Sequence, residues 1–165
     1  MNPSVLVEEL TEEQWQRYRD IRIAALENDG HAFGGNLKEE LQYSESDWRS
    51  KSRQYIGLVA SIDGRDIGMM TVEKLRGDFG ATCWIGSCWV NPDFRHNGAL
   101  RALFSYTDKN AVERGWVKQG LGVWVDNTIA IEAYKKIGFI PMGEPQESTR
   151  KPGLYYQRMI REALV

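Results

Sequence analysis

The feature that most narrows the possible folds is a change of hydrophobic period at Pro92. Between residues 54 and 90 the chain reads as three short runs rich in apolar, β-branched and aromatic residues, YIGLVASI, IGMMTVEKL and TCWIGSCWV. Asp63-Gly64 and the cluster Gly77-Asp78-Phe79-Gly80 separate them, as hairpin turns do. From Gly98 the pattern becomes helical, with Leu100, Leu103, Phe104, Thr107 and Ala111 recurring every three or four residues until Gly115. Antiparallel strands followed by an amphipathic helix require a sheet with helices packed on it. The third run is apolar on both faces, Cys83, Ile85 and Trp89 on one and Trp84, Cys88 and Val90 on the other, as a central strand is.

The flanking sequence extends the same pattern. Thr11-Glu12-Glu13-Gln14 has the form of a capping box, and Trp15, Tyr18, Ile21, Arg22, Ala25 and Leu26 follow at helical spacing. This predicts a first helix over 12–27, after a short strand at 5–7. Residues 28–36 (NDGHAFGGN) read as a loop, and 37–51 as one or two short helices with Ser46 as an N-cap. A strand at 119–125 alternates Leu121, Val123 and Val125 with Gly122 and Trp124. Asn127 caps a helix carrying Ala130, Ala133, Tyr134 and Ile137, which Gly138 ends. Strands at 139–142 and 154–160 flank a polar loop at 144–153. The expected order is β-α-α-β-β-β-α-β-α-β-β, an α/β fold with a mixed, mostly antiparallel sheet of about seven strands and about four helices.

With 165 residues, 42% hydrophobic and 27% charged, the chain suits a single domain over 1–165 that needs no disulfide or metal to hold its core. A net charge of −2 gives no general attraction to nucleic acid or to an anionic membrane. No apolar run approaches the length of about 20 residues that a membrane-spanning helix needs. The opening MNPSVLVEELTEE has no basic stretch, apolar run or cleavage site, so a cytoplasmic location is expected. Cys83 and Cys88 fall on opposite faces of one strand, which excludes a disulfide and reads as two small buried apolar residues. His31 and His96 have no second ligand at helical or strand spacing, so no metal site is expected.

Chemistry concentrates in one segment. A strand ending at Val90, a Pro92 turn and Arg95-His96-Asn97-Gly98-Ala99-Leu100 opening a helix form a recipe for holding a diphosphate. Free amides and the positive end of the helix dipole favour an anion, Gly98 allows close approach and Arg95 adds charge. Many strand-to-helix turns carry Gly and Arg for steric reasons alone, so these residues by themselves leave both readings open.

The wider sequence adds a resemblance. VNPDFRHNGALRAL resembles the acetyl-CoA-binding motif of the GNAT superfamily of N-acetyltransferases, V-x-P-x-x-[RQ]-x-x-G-x-[GA] opening a helix. Further on, Asn127-Thr128-Ile129-Ala130-Ile131-Glu132-Ala133-Tyr134-Lys135-Lys136-Ile137-Gly138-Phe139 resembles that family's second motif, N-x-x-A-x-x-x-Y-x-x-x-G-F. The element order resembles the same fold over nearly the whole chain, and the stretch from Arg22 to Gly35 is similar to one that borders the acceptor site in many members. Two positions depart from the pattern. Leu100 stands where a small residue is usual, and Gly86 stands where some members carry a glutamate base.

The resemblance implies transfer of an acetyl group from acetyl-CoA to a primary amine of a small molecule or peptide, by direct attack in a ternary complex. It places Cys88, Trp89 and Val90 along the pantetheine arm, with the Val90 amide on the thioester carbonyl. Pyrophosphate falls to Arg95, His96, Asn97, Gly98, Ala99 and Leu100. Asn127, Ala130 and Tyr134 complete the cofactor side, with Tyr134 protonating the departing thiolate. Without the motif, Tyr134 reads as a core-facing helix residue. Glu40, Glu73 and Asp126 are water-linked candidates for the base, each of which also reads as a solvated carboxylate. Trp84, Trp89 and Trp124 read as core residues or as the lining of an acceptor groove. The resemblance also allows a homodimer. The alternative function is a non-catalytic acyl-CoA-binding module of the same fold, in which Gly86 marks the missing base. Another type of nucleotide-binding domain is disfavoured, since the chain has no G-x-x-x-x-G-K-[ST] or G-x-G-x-x-G element.

Overall fold

The computed structural model describes residues 4–165. Its strands are β1 (Leu6–Glu9), β2 (Ile56–Ile62), β3 (Arg65–Lys74), β4 (Cys83–Val90), β5 (Lys118–Trp124), β6 (Ile140–Glu147) and β7 (Tyr155–Glu162). Its helices are α1 (Trp15–Asp29), α2 (Leu37–Glu40), α3 (Glu45–Gln54), α4 (Ala99–Arg114) and α5 (Thr128–Ile137). The strands form one seven-stranded sheet of order β1-β2-β3-β4-β5-β7-β6. β1–β2, β2–β3, β5–β7 and β6–β7 pair antiparallel and β4–β5 parallel, so the sheet is mixed and mostly antiparallel, as expected. Five helices replace the expected four because residues 37–51 break into α2 and α3. The chain divides into two compact units, one holding the chain up to Glu73 with Ser87–Tyr106, the other Lys74–Gly86 with Thr107–Val165.

In the first unit, Gln14 Oε1 accepts from the Thr11 N–H at 3.0 Å, which closes the start of the first helical segment. α1 runs through Asp29, past the expected end at 27, and Asn28 Nδ2 donates to the Ala24 carbonyl of its last turn at 2.8 Å. Tyr18, Ile21, Ala25 and Leu26 on one face of α1 pack with Trp48, Val59, Met69 and Trp89 into the core of this unit. Each large apolar side chain so buried contributes roughly 1.5–3 kcal/mol. Tyr18 meets Trp48 edge-on at 5.9 Å, and burial pushes its phenol up to about 12. The N-cap of α3 is Ser44 rather than Ser46. Ser44 Oγ accepts from the Asp47 N–H at 3.2 Å and Asp47 Oδ2 from the Ser44 N–H at 2.9 Å. Ser46 has Arg49 three residues on, which offers no returning acceptor. The β2–β3 turn is of the expected kind, with Asp63 at φ 50° and Gly64 at φ 80°.

In the second unit, β4 and β5 pair at Cys83↔Gln119 and Trp84↔Gly120. The Trp84 ring lies over Gly120, where a Cβ would collide with it. Cys83 is buried, and burial pushes its thiol up to about 12. Cys88, on the part of β4 that belongs to the first unit, is half-buried rather than buried, and neither cysteine is in a disulfide. A charged pair lies inside this unit, where Arg161 reaches both Asp108 carboxylate oxygens at 2.7 Å and Gln119 Oε1 at 3.0 Å. Its Nε donates to the Ile137 carbonyl at 3.0 Å and so holds the end of α5. The strand expected at 139–142 continues to Glu147, and every residue of β6 is exposed.

Candidate functional site

β4 ends at Val90, and the Asn91 N–H donates to the Ile67 carbonyl at 2.7 Å, which anchors the strand end to β3. Asn91 Oδ1 then accepts from the Asp93 N–H at 2.9 Å and folds Pro92–Phe94 into one tight turn. His96 and Gly98 follow with left-handed backbones, φ 71° and 84°, and the exposed chain bends twice before α4 begins. The first bond inside the helix runs from Ala102 N–H to the Gly98 carbonyl at 2.9 Å. The amides ahead of Ala102 therefore have no acceptor one turn back, and they sit at the positive end of a helix of 16 residues. Ala99 takes the buried place at this helix start, and Leu100 is half-buried.

Arg95 bends back on the protein. Its Nε donates to the Val90 carbonyl at 3.0 Å and its Nη2 to Asp29 Oδ2 at 2.9 Å. Trp89 belongs to the core, only 4% exposed, and its indole N–H donates to the same Asp29 oxygen at 2.7 Å. Cys88 and Val90 are half-buried beside it.

Further back on β4, Ser87 has φ 50°, a left-handed backbone that costs a non-glycine residue roughly 1–2 kcal/mol. Arg22 Nη1 donates to its hydroxyl at 3.0 Å, while Arg22 Nε and Nη2 donate to the two oxygens of Glu40 at 3.0 and 3.1 Å. Glu40 is therefore not a solvated carboxylate. It is 4% exposed, with both oxygens engaged. Gly35 packs on this pair, where a Cβ would run into both side chains. Glu73 is half-buried and Asp126 exposed. A cavity of about 340 Å³ opens along α1 and α2, lined by Arg19, Asp20, Ile23, Ala24, Glu27, Glu40 and Leu41.

The remaining expected residues lie on α5, in the second unit. Asn127 Oδ1 accepts from the Ala130 N–H at 3.2 Å, and Gly138 closes the helix at φ 118°. Tyr134 is half-buried, one turn before that end, with its ring edge-on to Phe139 at 5.9 Å. The indole N–H of Trp124 is buried and has no acceptor among the described residues. The structure thus groups Cys88, Trp89, Val90 and Arg95–Leu100 in one unit and Asn127, Ala130 and Tyr134 in the other. His31 and His96 are exposed, and among the described residues no group of three or more His, Cys, Asp or Glu side chains could hold a metal. Asp29, Arg22 and Ser87 were not singled out as site residues from the sequence, because the Arg22–Ser87 and Asp29–Trp89 contacts span 65 and 60 positions and leave no local signal.

A mixed sheet in which a strand, a left-handed turn and a helix start follow one another places amides where an anion is favoured. The model of the acetyltransferase (GNAT) family matches residues 7–139, and the chain belongs to that family. An acetyltransferase of Pectobacterium atrosepticum is 34% identical over 82 residues, which are 50% of this chain and 55% of that protein. The chain thus spans about half the length of such curated relatives. Among solved structures, a Salmonella typhimurium protein with its cofactor acetyl-CoA has a TM-score of 0.72 at 17% identity, covering 98% of this chain and 95% of that one. The spermidine N-acetyltransferase of Vibrio cholerae, in complex with CoA and spermine, has a TM-score of 0.71 at 13% identity, covering 96% and 95%.

Proposed function

We propose that this chain is an N-acetyltransferase, working as a single domain over 1–165, that moves an acetyl group from acetyl-CoA to a primary amine by direct attack in a ternary complex. The observation that carries it is the start of α4, where left-handed backbones at His96 and Gly98 open the chain onto amides without helical acceptors. These residues fit a diphosphate, and Arg95 to Leu100 would hold it. The thioester of the bound cofactor supplies the acetyl group. Cys88 to Val90 would pair with the pantetheine arm as an added strand does, and the Val90 amide would donate to the thioester carbonyl oxygen. Asn127 and Ala130 would contact the arm from α5, and the Tyr134 hydroxyl would give its proton to the leaving sulfur. The buried indole N–H of Trp124, a donor without an acceptor among the described residues, is a further group that a ligand would satisfy.

The amine would enter by the cavity along α1 and α2, where Glu27 favours a cation and Asp20 is paired with Arg19 of the same lining. Glu40 has both oxygens on Arg22, which removes it as the proton acceptor and leaves Glu73 and Asp126 as the water-linked candidates. That same pairing, with Gly86 in β4, is what favours the second reading, a non-catalytic acyl-CoA-binding module. A cytoplasmic location and a homodimer belong to the same proposal, and no described helix is long and apolar enough to cross a membrane.

The test is thermal stabilisation by acetyl-CoA, followed by CoA release with a panel of polyamines, amino acids, aminoglycosides and peptides. Release with one amine class establishes the enzyme. Stabilisation without release from any amine supports the binding module, and no stabilisation rejects both.

A further inference from the structure

Asp29 occupies a position that local electrostatics disfavour. It is the last residue of α1, where the helix dipole repels an anion and a lysine or arginine is the favourable choice. What offsets this is tertiary. One carboxylate oxygen, Oδ2, accepts from the Trp89 indole N–H at 2.7 Å and from Arg95 Nη2 at 2.9 Å. Bonds to a charged group are about twice as strong as neutral ones, and the carboxylate side chain is only 18% exposed.

The two partners are not scattered. Trp89 and Arg95 are the two ends of the segment that turns from β4 toward α4, so a single oxygen closes that segment into a ring. Within the ring, Arg95 Nε donates to the Val90 carbonyl at 3.0 Å, and the Asn91 carbonyl accepts from the Phe94 N–H at 2.9 Å. Two of the five guanidinium N–H groups of Arg95 are spent on these inward bonds, and the side chain is still 44% exposed.

We infer that Asp29 is a positioning residue for the cofactor, which acts through Trp89 and Arg95 to fix the strand end and the turn before His96 and Gly98 in the shape that receives the diphosphate. This rests on the proposed role of that segment in binding CoA. The carboxylate makes no contact with the cofactor in this role. It presents Arg95 with its outer donors ready and removes the freedom that the turn would otherwise lose on binding.

The test is titration calorimetry with CoA on the full chain, as wild type, Asp29→Asn, Arg95→Gln and the double variant. Asp29→Asn keeps the shape and one acceptor and removes the charge. CoA affinity is expected to fall about tenfold in Asp29→Asn, and the loss in the double variant to be smaller than the product of the two single losses, since Asp29 acts in part through Arg95. A ¹⁵N-labelled sample gives a second readout, because the Trp89 indole resonance, assigned by Trp89→Phe, should move in Asp29→Asn and also in wild type on adding CoA. Equal CoA affinity in wild type and Asp29→Asn, or independent losses in the double variant, would overturn the role of Asp29 and leave the CoA site standing. A wild type that binds no CoA would overturn both.

Discussion

Arg22 and Glu40 meet in a two-pronged ion pair, at 3.0 and 3.1 Å, and the two side chains are only 12% and 5% exposed. Removing one partner from such a pair leaves the other buried and uncompensated, which costs about 3–5 kcal/mol. Glu40→Ala should therefore lower the unfolding free energy by that order in urea titration. A loss near zero would show that Arg22 finds solvent when released. Gly35→Ala should destabilise in the same direction, because the added methyl group enters the space of both side chains.

Tyr134 offers a cleaner separation of binding from chemistry. Removing its hydroxyl leaves the ring against Phe139, so the fold and the cofactor contact should persist. Tyr134→Phe is expected to lower kcat about a hundredfold with CoA affinity nearly unchanged, as loss of a general acid does. Unchanged turnover in steady-state assays would remove Tyr134 from the chemistry.

Gly98 and His96 test the turn by conformation alone. A Cβ at Gly98 would meet nothing within 4 Å, so any effect of Gly98→Ala comes from its φ of 84°. That substitution should cost about 1 kcal/mol, and His96→Gly should gain a similar amount by relieving φ 71°. Melting temperatures of the two variants without ligand should move in opposite directions.

Two buried acids set an alkaline limit. Burial raises the Cys83 thiol from 9.0 to about 12 and the Tyr18 phenol from 10.0 to about 12. A raised folded-state value means that the neutral form is the one the fold accommodates. The stability they support is complete below pH 9 and should fall as pH rises through 9 to 12. Unfolding free energies across that window should decline less steeply in Cys83→Ala. In native protein at pH 8, Cys83 should resist a thiol reagent that labels it after unfolding.

The local parts of the fold were legible in the sequence. Asn127 and Gly138 bound α5 through bonds within three or four residues, and Asp63-Gly64 imposes its turn through backbone sterics. Where two local signals competed, the reciprocal one won, since Ser44 has Asp47 to return its bond and Ser46 has no such partner. β6 was cut short because a strand with no buried face shows no alternation. Of the candidate site, the motif segments were reached through the family resemblance, and Asn127 as a cap from its place before α5. The Arg22–Glu40–Ser87 contacts and the Asp29 clamp could not be reached, because long-range pairing of charged side chains leaves no periodic trace.

β6 closes the sheet order on one side, and all its residues are exposed, Ile140 and Met142 among them. A long open edge of this kind is where proteins recruit foreign strands and aggregate. Pro141 and Pro145 deny an incoming strand two of the amides it would need, and Glu144 and Glu147 add like charges along the same edge. The shelf life of concentrated solutions should therefore depend on Pro141, Glu144, Pro145 and Glu147.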